Sequence, residues 1–241
     1  MNPIEHPGLP EMQLLGLVLE GRYEAAEALY LPLCEARRAT LGENSNVVHD
    51  DMFGEALLLH MQHKYQEAED ILRKVAAHHE QMLGLHHIKT LKSIHSLGEV
   101  LAAQDKTVEA ASMYRRVADS YSTLDLKARE EALKSLDSLA QVLAGQGDLE
   151  EAESTARWMV AEREALLGKD HYDTFIGFHT LAGILSQRQM FKEALALYER
   201  AFTETQRTLG PAHPDTIEFR ADFETAKQSM GRGTRSLCQI L

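Results

Sequence analysis

Twelve histidines occur among 241 residues, and three of the chain's candidate acid–base groups are spaced with unusual regularity. His95, Asp137 and His179 stand 42 residues apart, and Glu99 follows His95 by four. On a repeating helical framework they would form a ladder across one face. Imidazole and carboxylate side by side are the usual parts of general acid–base catalysis. A concave pocket holding them could carry out a cyclase- or isomerase-like reaction that needs only shape and proton transfer. Successive layers of helices repeat at about 10 Å, however, too far for a direct triad contact. No nucleophile stands beside the three. Catalysis by His95, Asp137, His179 and Glu99 is therefore the alternative reading, and the primary one assigns no catalytic residue.

Other chemistry is less well represented. His60 and His63 lie one helical turn apart and His78 and His79 are adjacent, but no Cys-x-x-Cys or His-Glu-x-x-His pattern accompanies them, so no metal is expected. Gly231-Arg-Gly233 is an isolated fragment with no phosphate-binding loop around it, so no nucleotide or other cofactor is expected. His87, His171 and His213 each sit between a Gly and a Thr, one per repeat. This is a linker position, with the Thr or a neighbouring Asp suited to cap the next helix.

The elements that position these residues follow from an internal period. Ala26, Ala68, Ala110, Ala152 and Ala194 are separated by 42 residues each, and Leu17, Leu59, Leu101, Leu143 and Leu185 keep the same register upstream. Small residues Ala56, Gly98, Ala140 and Ala182 precede those leucines by three, and Tyr30, Leu72, Tyr114, Ala156 and Tyr198 follow the alanines by four. Spacings of three and four place each set on one helical face. Each unit is thus a pair of amphipathic helices, with tight turns near Gly21, Lys106, Gly147 and Gln189.

A small residue, large apolar residues and an alanine of constant phase, copied five times, resemble the tetratricopeptide repeat. The longer unit, with Leu41-Gly42, Leu83-Gly84, Leu167-Gly168 and Leu209-Gly210 followed by His87-Ile-Lys-Thr90, His171-Tyr-Asp-Thr174 and His213-Pro-Asp-Thr216, is similar to the repeats of kinesin light chains. The resemblance implies an all-α, right-handed superhelix of five helix pairs plus a C-terminal capping helix. It divides the chain into a tail (1–9), units of about 10–48, 49–90, 91–132, 133–174 and 175–216, a polar capping helix (217–230) and a flexible tail (231–241), the repeat domain being 10–230. The link after the third unit lacks the Gly and His, Glu55 replaces a core leucine, and Pro10 and Gln13 shorten the first helix into a cap.

In such arrays the first helix of each pair lines a concave groove, and members are mostly adaptors. Carried over position by position, the resemblance implies a partner-binding surface of Phe53, Leu57, His60, Met61, Lys92, His95, Glu99, Lys134, Asp137, Gln141, His179 and Gln187. It would hold a protein or peptide segment with apolar anchors near Phe53, Leu57 and Met61 and carboxylates against Lys92 and Lys134.

The formal net charge of −12 opposes nucleic acid, whose binding needs clustered Lys and Arg. The start lacks the basic and apolar regions of a secretory leader, and Cys34 and Cys238 are too few for a disulfide framework, so a cytoplasmic location is expected. The sequence ends Cys238-Gln239-Ile240-Leu241, compatible with prenylation of Cys238 and a weak membrane association.

Overall fold

The computed structural model describes residues 9–238 and the side chains of residues 12–228 and 230. Among them are eleven α-helices and no strand. They are α1 (Leu9–Leu19), α2 (Tyr23–Leu41), α3 (Asn46–Met61), α4 (Tyr65–Leu83), α5 (Ile88–Ala103), α6 (Thr107–Ser120), α7 (Leu126–Gln146), α8 (Leu149–Leu166), α9 (Tyr172–Gln187), α10 (Phe191–Leu209) and α11 (Pro214–Cys238). Tyr121–Thr123 forms one 3-10 turn. None of the described helices is long and apolar enough to cross a membrane.

The helices form two compact units, residues 1–113 and 114–241, the division falling within α6. In the first, α1 to α5 each pack on the next and α3 also touches α5. In the second, α7 to α11 each pack on the next and α7 also touches α9. Contact between successive helices together with contact between successive first helices is the stacking of a solenoid.

The alanine register explains the close packing. Ala26, Ala68, Ala110, Ala152 and Ala194 are all 0% exposed. A methyl group at each leaves space for the partner helix's backbone, and Leu59, Leu101, Leu143 and Leu185 fill the layer beside it. Gly54 serves a related purpose: a Cβ there would lie 2.4 Å from Oη of Tyr30, whose hydroxyl donates to the Asp51 carbonyl at 3.3 Å. Glu55, in place of a core leucine, is half-buried; desolvation raises its pKa while Arg38 opposes the shift.

The starts of α3, α5, α9 and α11 are capped from the same position of the repeat. Ser45 Oγ accepts from the Val47 N–H at 3.3 Å, while Nδ1 of His87, His171 and His213 accepts from Lys89, Asp173 and Asp215 at 3.2, 3.2 and 3.3 Å. The imidazole itself is the cap, a difference from the sequence reading, which gave capping to the following Thr or Asp. The extended backbone at His87 and His171 aims the ring over the second N–H of the helix, and Thr90, Thr174 and Thr216 turn into the core. Where the third link has lost this histidine, Asp125 Oδ1 accepts from Ala128 N–H at 2.8 Å instead.

Within each unit, charged rungs tie repeats together. Glu69 is buried and receives Lys106 at 2.6 Å, Arg73 at 2.7 Å and Gln104 at 2.8 Å; Arg73 also reaches Glu109 at 2.6 Å. Two periods later, Glu153 receives Arg157 at 2.7 Å and Arg188, and Arg157 reaches Glu193 at 2.7 Å.

Candidate partner-binding site

The first-helix faces of the two units carry the residues of the predicted surface. In the first unit α3 presents Phe53, Leu57 and His60 half-buried and Met61 44% exposed, an apolar strip set by spacings of three and four. On α5, Lys92 is exposed, and half-buried His95 approaches Glu99 at 3.5 Å. Lys89 ties α5 to Asp50 of α3 at 2.6 Å, which neutralises that carboxylate beside the strip. Behind it, buried His79 pairs through Nδ1 with Ser93 Oγ at 2.8 Å, and burial holds its pKa below the ordinary imidazole value.

In the second unit, α7 leaves Lys134 exposed, with Glu131 3.2 Å away, and Gln141 exposed two turns further on. Asp137 faces inward. Its Oδ2 accepts from Arg163 at 3.2 Å, and Arg163 also donates to the Asp173 carbonyl at 2.9 Å. The guanidinium is enclosed beside Gly177, where a Cβ would meet Arg163 Nη1 at 3.3 Å. Asp137 is thus half of a buried ion pair that joins α7, α8 and the start of α9.

His179 turns to α11 instead. Its Nε2 lies 2.7 Å from Oδ2 of Asp222, its ring stacks on Phe219 at 4.2 Å, and Tyr198 meets it edge-on at 5.4 Å. Beside it opens a cleft of about 420 Å³, whose lining includes Gln141, Ile176, His179, Gln187, Glu218 and Phe219. Tyr172 and Asp215 border it and share a hydrogen bond; burial, then that bond, pushes the Tyr172 phenol up to about 12.

Three predicted residues, Gln141, His179 and Gln187, therefore meet at one cleft. His179 and Asp137 do not pair with each other, because each has its own partner. The sequence reading missed Asp215, Glu218, Phe219 and Asp222, having taken α11 as a polar end cap. Carrying the 42-residue register one step further would have found Glu218, which falls in phase with Lys92, Lys134 and Ile176. The side chain of Cys238 lies outside the described residues.

Antiparallel helix pairs recurring every 42 residues, each pair covering the next within its unit, define an α-solenoid repeat protein. The tetratricopeptide repeat model matches residues 51–123 and 131–203, and the chain belongs to the tetratricopeptide repeat family. Among solved structures it is similar to the nearly identical TPR-like repeats of a kinesin light chain from Podosopora anserina, with TM-score 0.70 and 22% identity over 85% of this chain and 99% of that one. BtubC (BKLC) from P. vanneervenii aligns with TM-score 0.64 and 14% identity over 97% of this chain and 93% of that one. YrrB, a TPR protein with an unusual peptide-binding site, aligns with TM-score 0.51 and 17% identity over 86% and 88% respectively. A search of curated protein sequences finds no match.

Proposed function

We propose that the chain is a protein-interaction scaffold that holds a peptide or partner helix against its first-helix faces. The observation that carries this reading is the cleft of the second unit: Gln141, His179 and Gln187, from two successive first helices, line one open, ligand-sized space. The exposed Met61 beside Phe53 and Leu57 offers apolar anchorage on the first unit, and Lys92 and Lys134 project into solvent, where they can meet carboxylates. YrrB is an instance of the fold carrying a peptide site. The acid–base alternative has less support, since the Asp137 carboxylate is held by Arg163. Nucleic acid is disfavoured by the net charge of −12.

The test is to select peptides against the purified chain by display and measure their binding by fluorescence anisotropy. Met61→Glu and Lys92→Glu are each expected to weaken binding of peptides held on the first unit, and Gln187→Ala of those held on the second, about tenfold or more, equivalent to about 1.4 kcal/mol. Val108→Glu, an exposed substitution on a second helix, leaves it unchanged. Loss of binding in Val108→Glu with retention in the other three overturns the proposal.

A further inference from the structure

On α11, Glu218 and Asp222 are four residues apart, so both carboxylates leave one face of the helix. His179 of α9 meets that face. One ligand atom from each of the three side chains lies within 4.8 Å of the other two, the imidazole Nε2 and Asp222 Oδ2 being 2.7 Å apart. Two further observations concern the surroundings rather than the carboxylates. The imidazole is clamped between the Phe219 face and the Tyr198 edge, which fixes the plane in which its nitrogen lone pair points. The adjoining cleft of about 420 Å³ is lined by His179 and Glu218 with no Lys or Arg among its described lining residues, so it gives room for solvent beside the cluster.

We propose that His179, Glu218 and Asp222 form a binding site for a divalent transition-metal ion, with zinc(II) as the ion whose preferences they match. One imidazole nitrogen and two carboxylate oxygens suit a borderline ion with donor distances of about 2.0–2.2 Å. A tetrahedral arrangement at that radius sets donor atoms roughly 3.3–3.5 Å apart. The nitrogen–oxygen pair must therefore open slightly and the longer separations close, within the reach of carboxylate rotamers on an exposed helix face. The neutral imidazole carries its proton on Nδ1 in the bound form, and Nε2 donates its lone pair to the ion in place of the hydrogen bond to Asp222. Three protein ligands leave a fourth position facing the cleft, the open arrangement that accepts water or an oxygen of a bound segment. The ion also links α9 to α11 across the last repeat.

The site stands independently of the scaffold reading, because its test uses no peptide. The chain is stripped with a chelator, dialysed, and titrated with zinc(II) by calorimetry near neutral pH, with cobalt(II) absorption as a second readout. One ion per chain is expected. His179→Ala and the double variant Glu218→Gln/Asp222→Asn should each weaken binding by at least about tenfold. His63→Ala, an exposed histidine elsewhere, serves as the control and leaves it intact. Zinc should raise the melting temperature of the parent chain but not of the double variant, whose fold is checked by circular dichroism. Failure to take up one ion, or uptake that survives His179→Ala, overturns the proposal.

Discussion

Asp137→Ala should be among the most damaging single substitutions in the second unit, and the reason is what it leaves behind. Arg163 is 4% exposed and Asp137 8%, so neither charge has much water to fall back on. In the intact protein the guanidinium has the Asp137 carboxylate at 3.2 Å and the Asp173 carbonyl at 2.9 Å, while its Nε has no partner. Removing the carboxylate strands a buried cation on one neutral acceptor, a loss that typically costs about 3–5 kcal/mol. A chain of this size loses roughly 2–4 °C of melting temperature per kcal/mol, so the transition should fall by roughly 6–20 °C. Replacing both partners with apolar side chains of similar volume, as in Asp137→Leu/Arg163→Met, should recover most of the loss, because the charge and its unmet demand leave together. The assay is urea unfolding followed by far-UV circular dichroism, run as a double-mutant cycle. A cost below about 1 kcal/mol for Asp137→Ala would place the carboxylate in the solvated regime of surface pairs. Arg163 would then not be what withdraws Asp137 from acid–base chemistry in the groove.

Two other outcomes follow from local geometry. Gln189 holds φ 64° at the turn position where Gly21 and Gly147 stand in their repeats, so Gln189→Gly should stabilise by roughly 0.5–1 kcal/mol and Gly147→Gln should cost a similar amount, both read from urea midpoints. Acid should destabilise the first unit in two stages. Burial of His79 lowers its folded pKa, so its contribution is complete above 6.5, the unperturbed value, and disappears as pH falls through the depressed one. Burial alone would raise the pKa of Glu69, but hydrogen bonds from Lys106, Arg73 and Gln104 outweigh it and hold the carboxyl at about 2, so its contribution is present above 4.5 and is lost between there and about 2. Unfolding free energies across a pH series should show both stages, and Glu69→Gln should flatten the lower one. An unchanged lower slope in that variant would show that Glu69 is not its source.

The fold was legible because packing imposes a period. The alanines that allow helices to touch and the leucines that fill each layer have no freedom to drift, so their spacing appears directly in the sequence. The site was legible only where it shares that period. Gln141, His179 and Gln187 lie at predicted first-helix positions and reach one cleft, but the register could not say that Asp137, in phase with His179, would turn towards Arg163. That outcome depends on an arginine 26 positions away in the chain and on the space left by Gly177. The capping histidines show a similar limit: their placement was regular enough to assign a linker, while the choice between imidazole and threonine as the cap depended on backbone torsions. α11 was underread for a different reason. Its charged composition suggested a terminus protected from aggregation, and the same charges turn out to face His179.

The rungs that join neighbouring repeats have a genetic consequence. Glu27 meets Gln62 at 2.9 Å and Lys64 at 3.2 Å, and Glu69 meets Gln104 at 2.8 Å and Lys106 at 2.6 Å, so donors and acceptors recur at the same offsets. Excising residues 46–87 would join Ser45 to Ile88 and present Glu27 with Gln104 and Lys106, the same two side-chain types at the same two places. Recombination between misaligned copies of the coding sequence can therefore lengthen or shorten such a chain by whole periods with these rungs re-formed, whereas a slip of one codon changes the offset of every rung that spans it.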